Sequence, residues 1–444
     1  MHRHLAITIL SFLALGWGCS QQRPEPPMQP VTTPATNPST QPTTRRVENH
    51  DEGQAWYWVL PNPLVLSDGR PVRDAQTWFT QRRPEILGLF QSEVYGKSPG
   101  KPADESFEVF DNDPNALGGK AIRKQITVHL GAGANAPKFD VLLYLPAKAV
   151  KPVPVFLCFS FFPLQLVMDD PGIRLQEEWD RDHQRHPGQK REKSTSFAIE
   201  ETLARGYGFA AIYYQQIDPD FQGGMRYGVR SAYLEPGRSD LRPDQWGTIA
   251  AWAWGASRAM DYLQTDPRVD HARIAIMGHS RLGKTALWAG AGDERFALVV
   301  ACSSGRGGAS LARRNFGESL GDLNLRFAYQ FCANYRKYGR HVTDLPVDSH
   351  ELIGLVAPRP IYLATASLDL HSDPRGEFDA AVAAGPIYRL LGKQGLGIDV
   401  MPAVDTAIMG DIAFHCRSGK HEVTAWDWQN ILEFADRKFG SAGR

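Results

Sequence analysis

Short apolar runs alternate with helical stretches along most of this chain, and the alternation limits the possible folds more than any other feature. Runs rich in β-branched and aromatic residues occur at 139–146, 153–159, 208–214, 273–277, 296–302, 360–364 and 412–416. The clearest helical stretches are 246–264, 284–291 and 426–439. Strands separated by helices favour a mostly parallel sheet that is covered on both faces. In such sheets the functional site lies at the carboxyl ends of the strands.

The N-terminus has the composition of an export signal. Residues 5–17 form an apolar run that is too short to span a bilayer but is typical of a signal peptide. Cys19 follows Gly18 at the end of this run, as in the lipoprotein box of bacteria, so we expect Cys19 to be lipidated. Trp17 is bulky for that box, and plain secretion is therefore the alternative. Either way, we expect an exported protein, which is a cell-envelope lipoprotein if Cys19 is modified.

The next segment has a composition that does not support folding. Residues 20–48 are rich in Pro, Thr, Gln and Ser and nearly lack large apolar residues. Such a segment cannot bury enough apolar surface to fold, so we predict a disordered linker. The predicted organisation is therefore a signal peptide at 1–19, a linker at 20–48 and one folded domain at 49–444.

Charge and cysteine content exclude several classes of partner. Lys plus Arg and Asp plus Glu number 49 each, so the chain offers no electrostatic reason to bind nucleic acid or an anionic membrane surface. Cys158, Cys302, Cys332 and Cys416 form no CxxC pair or His/Cys cluster, which argues against structural zinc. Export would permit disulfides, but their pairing is not readable from sequence. We expect no metal, no cofactor and a monomeric protein.

The strongest local motif follows the apolar run at 273–277, and it reads Gly278-His279-Ser280-Arg281-Leu282-Gly283-Lys284. A serine between a strand and a helix is typical of the nucleophile elbow of α/β-hydrolases. The helix N-terminus directs N–H groups toward the serine, which suits an oxyanion hole. The usual elbow is GxSxG, and here the second glycine comes one place late. The alternative is a glycine-rich turn with a solvated serine.

A nucleophilic serine needs a histidine base, which follows it in the chain order of this fold. His421 lies after the last predicted strand and before the last helix, where a loop histidine can reach the nucleophile. His415 falls within that strand and is expected to be a packed residue. His279 lies beside the serine but on the turn itself.

The base in turn needs an acid that orients its ring. Asp369 follows the strand predicted at 360–364, and a carboxylate at that end is well placed to hold an imidazole. Asp373 is the nearby alternative, although Asp373-Pro374 is more typical of a helix start. Asp369 itself has the alternative of an ordinary turn residue.

These motifs resemble one known family. The elbow, with the pattern Gly-x-Ser-Arg-x-Gly-Lys, resembles the signature of the glucuronoyl esterases, carbohydrate esterase family 15. Further segments that resemble bacterial members are 251–266, 305–314, 350–360, 373–378 and 417–428. The resemblance covers about residues 50–440. It implies an α/β-hydrolase fold and a serine esterase that cleaves the ester between 4-O-methyl-glucuronic acid on xylan and lignin alcohols, without metal or cofactor.

The resemblance also implies roles for individual residues. Ser280 would be the nucleophile and His421 the base, with Arg281 helping to stabilise the oxyanion. Lys284 and Glu318 would bind hydroxyls of the uronate, since an ammonium and a carboxylate together suit sugar hydroxyls. Without the motif, surface ion pairing would be the default interpretation of these charged residues.

Three departures from the family pattern bear on the substrate. Ser303 stands where many members carry the triad acid, and Asp369 matches the second position that bacterial members use. His371 replaces a tryptophan that lines the uronate pocket. Residues 160–163 read Ser-Phe-Phe-Pro, where relatives carry an Asn/Gly-containing segment. These departures leave two alternatives open, an esterase acting on acetylated xylan or another carbohydrate ester, and a carbohydrate-binding protein that has lost catalysis.

Overall fold

A ten-stranded mixed sheet forms the centre of the computed structural model, which describes residues 48–133 and 135–440. The predicted signal peptide, the lipidation site Cys19 and the linker up to residue 47 lie outside the described residues. The strands of the chain, including a separate two-stranded pair formed by β5 and β6, are β1 (Glu105–Asn115), β2 (Ala121–Leu130), β3 (Lys138–Pro146), β4 (Val153–Ser160), β5 (Glu178–Trp179), β6 (Arg185–His186), β7 (Gly208–Tyr213), β8 (Val269–His279), β9 (Phe296–Cys302), β10 (Ile361–Ala366), β11 (Ala407–Met409) and β12 (Ile412–Arg417).

The strand order across the sheet is β1-β2-β3-β7-β4-β8-β9-β10-β12-β11. The six central strands, β7, β4, β8, β9, β10 and β12, pair in parallel. Strands β1, β2 and β3 at one side of the sheet and β11 at the other pair antiparallel. Every residue of β4, β7, β10 and β12 is buried, as expected for strands covered on both faces. The carboxyl ends of β8, β9, β10 and β12 therefore meet at one edge of the sheet.

Helices cover both faces of the sheet. The α-helices of six or more residues in the described part of the chain are Arg83–Glu93, Ile199–Ala204, Thr248–Leu263, Arg281–Gly292, Leu320–Arg326, Ser349–Val356, Pro374–Leu390 and Ala425–Phe439. The helix Thr248–Leu263 is buried along nearly its whole length, and Gly255 allows Ile217 to pack against its backbone. Ser319, Asp348 and Thr424 begin three of the helices with capping boxes.

Each strand predicted from the sequence is present, with bounds that differ by a few residues. The predicted helices 246–264, 284–291 and 426–439 are present as Thr248–Leu263, Arg281–Gly292 and Ala425–Phe439. Strands β1 and β2 are not predictable from the apolar runs of the sequence. Strand β1 lies at the edge of the sheet with mostly exposed or half-buried residues, so it lacks an apolar run. Strand β2 buries the polar residues Arg123, Gln125 and Thr127, so its sequence lacks the apolar pattern of a buried strand.

The charged segment 165–195 lies only in part on the surface. Residues 164–168 are buried, whereas most of 177–193 is exposed. The segment is fixed by Asp170, whose carboxylate accepts hydrogen bonds from Arg123 Nη1 at 2.7 Å and Tyr144 Oη at 2.6 Å. Because Asp170 is buried together with its partner Arg123, this part of the segment can pack against the domain although it contains polar residues.

The four cysteines of the described domain, Cys158, Cys302, Cys332 and Cys416, are buried and unpaired. They pack as small apolar side chains, and burial raises the pKa of the Cys332 thiol to about 11. Across residues 48–133 and 135–440, no helix is both long and apolar enough to cross a bilayer.

Candidate active site

Ser280 occupies a strained turn between β8 and the helix Arg281–Gly292. Its backbone has φ 57° and ψ −129°, a conformation that costs a non-glycine residue about 1–3 kcal/mol. Its N–H donates to the carbonyl oxygen of Cys302 at the end of β9, at 2.8 Å. The strain and this anchor place the serine at the helix N-terminus, on the carboxyl edge of the sheet.

Two glycines relieve the crowding that this turn creates. A Cβ atom on Gly278 would lie 1.9 Å from the carbonyl oxygen of Leu282. A Cβ atom on Gly283 would lie 2.9 Å from the carbonyl oxygen of Cys302. The position that faces the neighbouring strand is thus 283, which explains why the second glycine comes one place later than in the usual elbow.

The candidate acid and base lie on adjacent turns after two parallel strands. Asp369 follows β10 and His421 follows β12, and Asp369 Oδ2 is 2.6 Å from His421 Nδ1. The imidazole ring of His421 lies 4.4 Å, centroid to centroid, from the ring of His279, the neighbour of Ser280. The carboxylate holds Nδ1, which leaves Nε2 as the nitrogen available for chemistry.

Ser280 and His421 are brought near each other but are not yet hydrogen-bonded. Within the residues that the structure describes, no hydrogen bond joins the Oγ of Ser280 to the imidazole of His421. Catalytic hydrogen bonds are often long before substrate binds and shorten in the complex. Proton transfer from Ser280 therefore requires that its Oγ and the His421 ring first come within hydrogen-bond distance.

The Asp369 carboxyl is kept ionised by its neighbours. Burial raises its pKa, but hydrogen bonds with His421, Ser372 and Ser303 outweigh burial and leave the pKa below its usual range. Ser303, which follows β9, thus forms a hydrogen bond with Asp369, the candidate acid. It does so from the position at which many members of the family that the sequence resembles carry a carboxylate. Sequence reasoning missed this role of Ser303 and Ser372, which no local pattern indicates.

His279 is a neutral side chain in the wall of the site. Burial, followed by the charge of nearby His421, lowers its pKa to about 3. Phe161 packs edge-on against its ring, with centroids 6.2 Å apart. The segment 160–163, one of the departures from the family pattern, therefore reaches the wall beside the candidate nucleophile through Phe161.

Arg281 is fixed beside the serine by a carboxylate that the sequence analysis did not single out. Its Nη1 pairs with Asp220 Oδ2 at 2.5 Å, and its guanidinium lies 5.0 Å from the ring centroid of Phe327. Asp220 Oδ1 also accepts hydrogen bonds from Tyr329 Oη at 3.0 Å and Gln330 Nε2 at 2.9 Å. Asp220 is 61 residues from Arg281 in the chain, so only the fold reveals the pair.

Lys284 and Glu318 lie close together behind the elbow, and both are buried. Burial is the largest influence on Lys284 and lowers its pKa, with Glu318 acting in the opposite direction. Burial raises the pKa of Glu318, but His371 and Lys284 outweigh burial and hold it below its usual range. Among the described residues, Glu318 Oε1 is buried without a hydrogen bond. A ligand hydroxyl would satisfy this oxygen.

His371 lies between two carboxylates. Its Nε2 is 3.4 Å from Glu318 Oε1, and its Nδ1 is 3.0 Å from Glu48 Oε2. Contact with Glu318, opposed by burial and reinforced by Glu48, raises the pKa of His371 to about 9. The ring is therefore a cation at neutral pH, and its side chain remains 42% exposed. Glu48 is one residue before the predicted start of the domain, and the sequence analysis did not single it out.

Comparison with known proteins identifies the family. The family model "Glucuronyl esterase, fungi" matches residues 241–392. The glucuronoyl esterase of Solibacter usitatus superposes with a TM-score of 0.85 and 46% identity, covering 88% of this chain and 100% of that one. Carbohydrate esterase MZ0003, from an unknown prokaryotic organism, is 43% identical over 87% of this chain and 91% of its own length.

The chain belongs to the glucuronoyl esterases, carbohydrate esterase family 15. A 4-O-methyl-glucuronoyl methylesterase of Phanerochaete carnosa is 27% identical over 75% of this chain and 72% of its own length. The family and the α/β-hydrolase fold, both predicted from the sequence, are thereby confirmed.

The rival residues have structural roles in this glucuronoyl esterase. Asp373 begins the helix Pro374–Leu390, and its Oδ1 accepts from the N–H of Gly376 at 2.9 Å. His415 is buried in β12, with Nδ1 2.8 Å from Tyr362 Oη and Nε2 2.7 Å from Asp427 Oδ1. Both side chains have their partners within the core, which leaves Asp369 and His421 at the site.

A further buried carboxyl lies beneath the site. Glu377 Oε1 accepts from the N–H of Gly305 at 2.6 Å and from Ser304 Oγ at 3.2 Å. Burial raises its pKa to about 8, so the group is mostly protonated at neutral pH.

In the part of the chain that the structure describes, no group of three or more His, Cys, Asp and Glu side chains is arranged to hold a metal ion.

Proposed function

We propose that this glucuronoyl esterase is a serine carboxylesterase that hydrolyses 4-O-methyl-glucuronoyl esters, those that join glucuronoxylan to lignin alcohols, through an acyl-enzyme. The observation that carries the proposal is the contact between Asp369 and His421 beside the strained Ser280, in a chain of this family. A buried Lys284 and Glu318 next to the elbow supply polar groups that suit a sugar.

The chemistry begins with removal of a proton from Ser280 Oγ by His421 Nε2 as Oγ attacks the ester carbonyl. Asp369 holds Nδ1 and stabilises the imidazolium that forms. The imidazolium then gives its proton to the leaving alcohol, and water, activated by the same base, releases the uronate. General-base assistance of this kind contributes about 10²–10⁴-fold to the rate.

The developing oxyanion is stabilised by backbone N–H groups at the start of the helix Arg281–Gly292 and by the Arg281 guanidinium. Asp220 fixes that guanidinium in place, so little reorganisation is needed when charge develops. One donor to an oxyanion is worth about 10²–10³-fold in kcat.

The uronate ring is bound by Lys284 and Glu318 through its hydroxyls. Glu318 Oε1 gains from a substrate hydroxyl the hydrogen bond that it lacks within the described residues. His371 borders the same pocket as a cation in place of an aromatic wall.

We expect the protein to act outside the cytoplasm, because its proposed substrate is a polymer of the plant cell wall and does not enter cells. The signal peptide predicted at 1–19 would direct export, after which a lipid on Cys19 and the linker at 20–48 would hold a monomeric domain outside the cytoplasm. Mass spectrometry of the N-terminal peptide from the native host tests this part, since a diacylglyceryl-modified Cys19 is expected and an unmodified N-terminus would contradict it.

The decisive experiment is hydrolysis of benzyl glucuronate by the full chain, beside the Ser280→Ala variant. We expect turnover by the wild type and its loss in the variant. Equal turnover by both would overturn the proposed nucleophile. An absence of turnover by a folded wild type would overturn the proposed substrate.

A second candidate is an esterase of acetylated xylan, which the replacement of the pocket tryptophan by His371 favours. Acetylated xylo-oligosaccharides offered at the same concentration as benzyl glucuronate separate the two. A non-catalytic carbohydrate-binding protein would instead fail to react with a serine-directed fluorophosphonate, which is expected to label Ser280.

A further inference from the structure

The first described residues of the chain form what we call the N-terminal strap, residues 48–58, which runs beside residues 313–317. Three backbone hydrogen bonds join the two segments, from Gly317 N to Asn49 O at 2.8 Å, from Trp58 N to Arg313 O at 2.9 Å and from Asn315 N to Trp56 O at 2.9 Å. Residues 313–317 lead directly into Glu318. The strap is therefore held against the segment that carries a candidate pocket residue.

The strap ends at the pocket with a carboxylate. Glu48 Oε2 is 3.0 Å from His371 Nδ1, on the opposite side of the ring from Glu318, whose Oε1 is 3.4 Å from Nε2. The backbone supports the same arrangement, because the N–H of Glu318 donates to the carbonyl oxygen of His371 at 3.0 Å. Both ring nitrogens of His371 thus face carboxylates from separate segments of the chain.

This arrangement fixes what His371 can do. A carboxylate at each nitrogen makes both nitrogens donors, because the protonated ring is favoured by opposite charges within about 4–6 Å. The charge of the ring then offsets that of Glu318 across the 3.4 Å between Nε2 and Oε1, a separation at which the two groups are ion-paired without forming a hydrogen bond. Among the described residues, further charged or titratable groups beside these three include His50 at Glu48, and Lys284 and Arg326 at Glu318.

We propose that Glu48 is a positioning residue for substrate binding, which holds the His371 ring in place beside Glu318 so that Glu318 stays oriented toward the uronate hydroxyls. The inference rests on the function proposed above. It assigns a part of the substrate pocket to the segment at the junction with the predicted linker. A chain that begins after residue 48 would lack it.

The test compares Glu48→Gln with Asp51→Asn in the full chain. Both changes remove one negative charge from the strap, but Asp51 is exposed and caps the turn at 52–54 instead of touching the pocket. For Glu48→Gln we expect KM for benzyl glucuronate to rise roughly 3- to 10-fold with little change in kcat, the size of a typical coupling between contacting residues. For Asp51→Asn we expect KM to stay within twofold of wild type.

A second variant shows whether the effect passes through the ring. In a His371→Gln background, Glu48→Gln should leave KM for benzyl glucuronate unchanged, because the group that Glu48 holds is gone. The KM of Glu48→Gln should also begin to rise at a lower pH than that of wild type, since the ring loses a carboxylate that raises its pKa.

The outcomes separate this inference from the proposed function. Hydrolysis of p-nitrophenyl acetate, which has no uronate ring, should be equal in wild type and Glu48→Gln. An equal loss on both esters, an equal effect of Asp51→Asn, or additive effects with His371→Gln would each overturn the role of Glu48 alone. A wild type that cleaves p-nitrophenyl acetate but not benzyl glucuronate would overturn the proposed function and this inference with it.

Discussion

Asp369 and His421 show how single residues set the chemistry of the site. The 2.6 Å contact orients the ring and fixes which nitrogen is free, while burial, which raises the pKa of the Asp369 carboxyl, is outweighed by His421 and, to a smaller extent, by Ser372 and Ser303. In the proposed mechanism Asp369 acts by fixing the tautomer and orientation of His421, and it does not itself take up a proton.

Replacement of Asp369 by Asn should lower kcat for benzyl glucuronate by about 10³–10⁴-fold, because the amide favours the wrong tautomer of His421. Steady-state kinetics on the purified variant measure the loss. Ser303→Ala is the comparison, and it should cost far less because it removes only a supporting hydrogen bond. A loss smaller than tenfold for Asp369→Asn would show that another acid orients the base.

His279 should make the stability of the fold depend on pH. Its pKa of about 3 in the folded chain lies below the ordinary value of 6.5, so the unfolded chain binds more protons between these two values. Stability is then fully present above pH 6.5 and falls as the pH drops, by up to about 1.4 kcal/mol per pH unit for this one group.

Urea unfolding at several pH values between 7 and 4 measures this dependence. In His279→Leu, which cannot titrate, the decline in the free energy of unfolding should be less steep than in wild type. Parallel curves for the two proteins would contradict a buried neutral His279.

At the scale of elements, the elbow is a tightly constrained connection between a strand and a helix. Strand β8 and the helix Arg281–Gly292 meet at a non-glycine residue with positive φ, and β9 passes close enough to bond to it. The glycine spacing follows from which helix position faces β9. The motif around Ser280 can therefore depart from the common GxSxG pattern and still form the same tight turn.

Gly283→Ala should destabilise the fold by about 1–3 kcal/mol, because the added Cβ meets a backbone carbonyl that cannot move freely. Gly292→Ala is the matched control in the same helix, since its Cβ would meet nothing within 4 Å. That change should be neutral or stabilising by about 0.5–1 kcal/mol. Thermal unfolding of both variants tests the contrast, and similar melting temperatures would argue against crowding at the elbow.

At the scale of the whole molecule, the strap ties the start of the domain to its site. Besides its backbone bonds to residues 313–317, it supplies Glu52 and Tyr57 as partners of the buried Arg314. Arg314 in turn pairs with Asp373, the residue that begins the helix Pro374–Leu390. The strap is therefore part of the folded domain.

Removal of the strap, in a chain that begins at residue 59, should lower the free energy of unfolding by about 2–4 kcal/mol, because Arg314 and Asp373 lose part of a buried network. Urea unfolding beside a chain that begins at residue 44 measures the difference. Equal midpoints would show that the strap is dispensable for the fold.

The sequence predicted the parallel centre of the sheet because strands buried on both faces appear as continuous apolar runs. It predicted Ser280, Asp369 and His421 because their order along the chain is fixed by the fold. Neither kind of reasoning reaches Asp220 or Glu48, whose partners lie 61 and 323 residues away. The antiparallel β2 was missed because its polar residues are buried in ion pairs and hydrogen bonds that only the fold assembles.

The support of Asp369 by Ser303 has a consequence for how such proteins diverge. The turn after β9 and the turn after β10 lie side by side, and both reach the group that orients His421. A carboxylate can therefore move from one turn to the other over evolutionary time, through intermediates that carry both, without disturbing the nucleophile. A sequence search that requires the acid in one particular turn of the two would therefore wrongly classify enzymes with the acid in the other turn as inactive relatives.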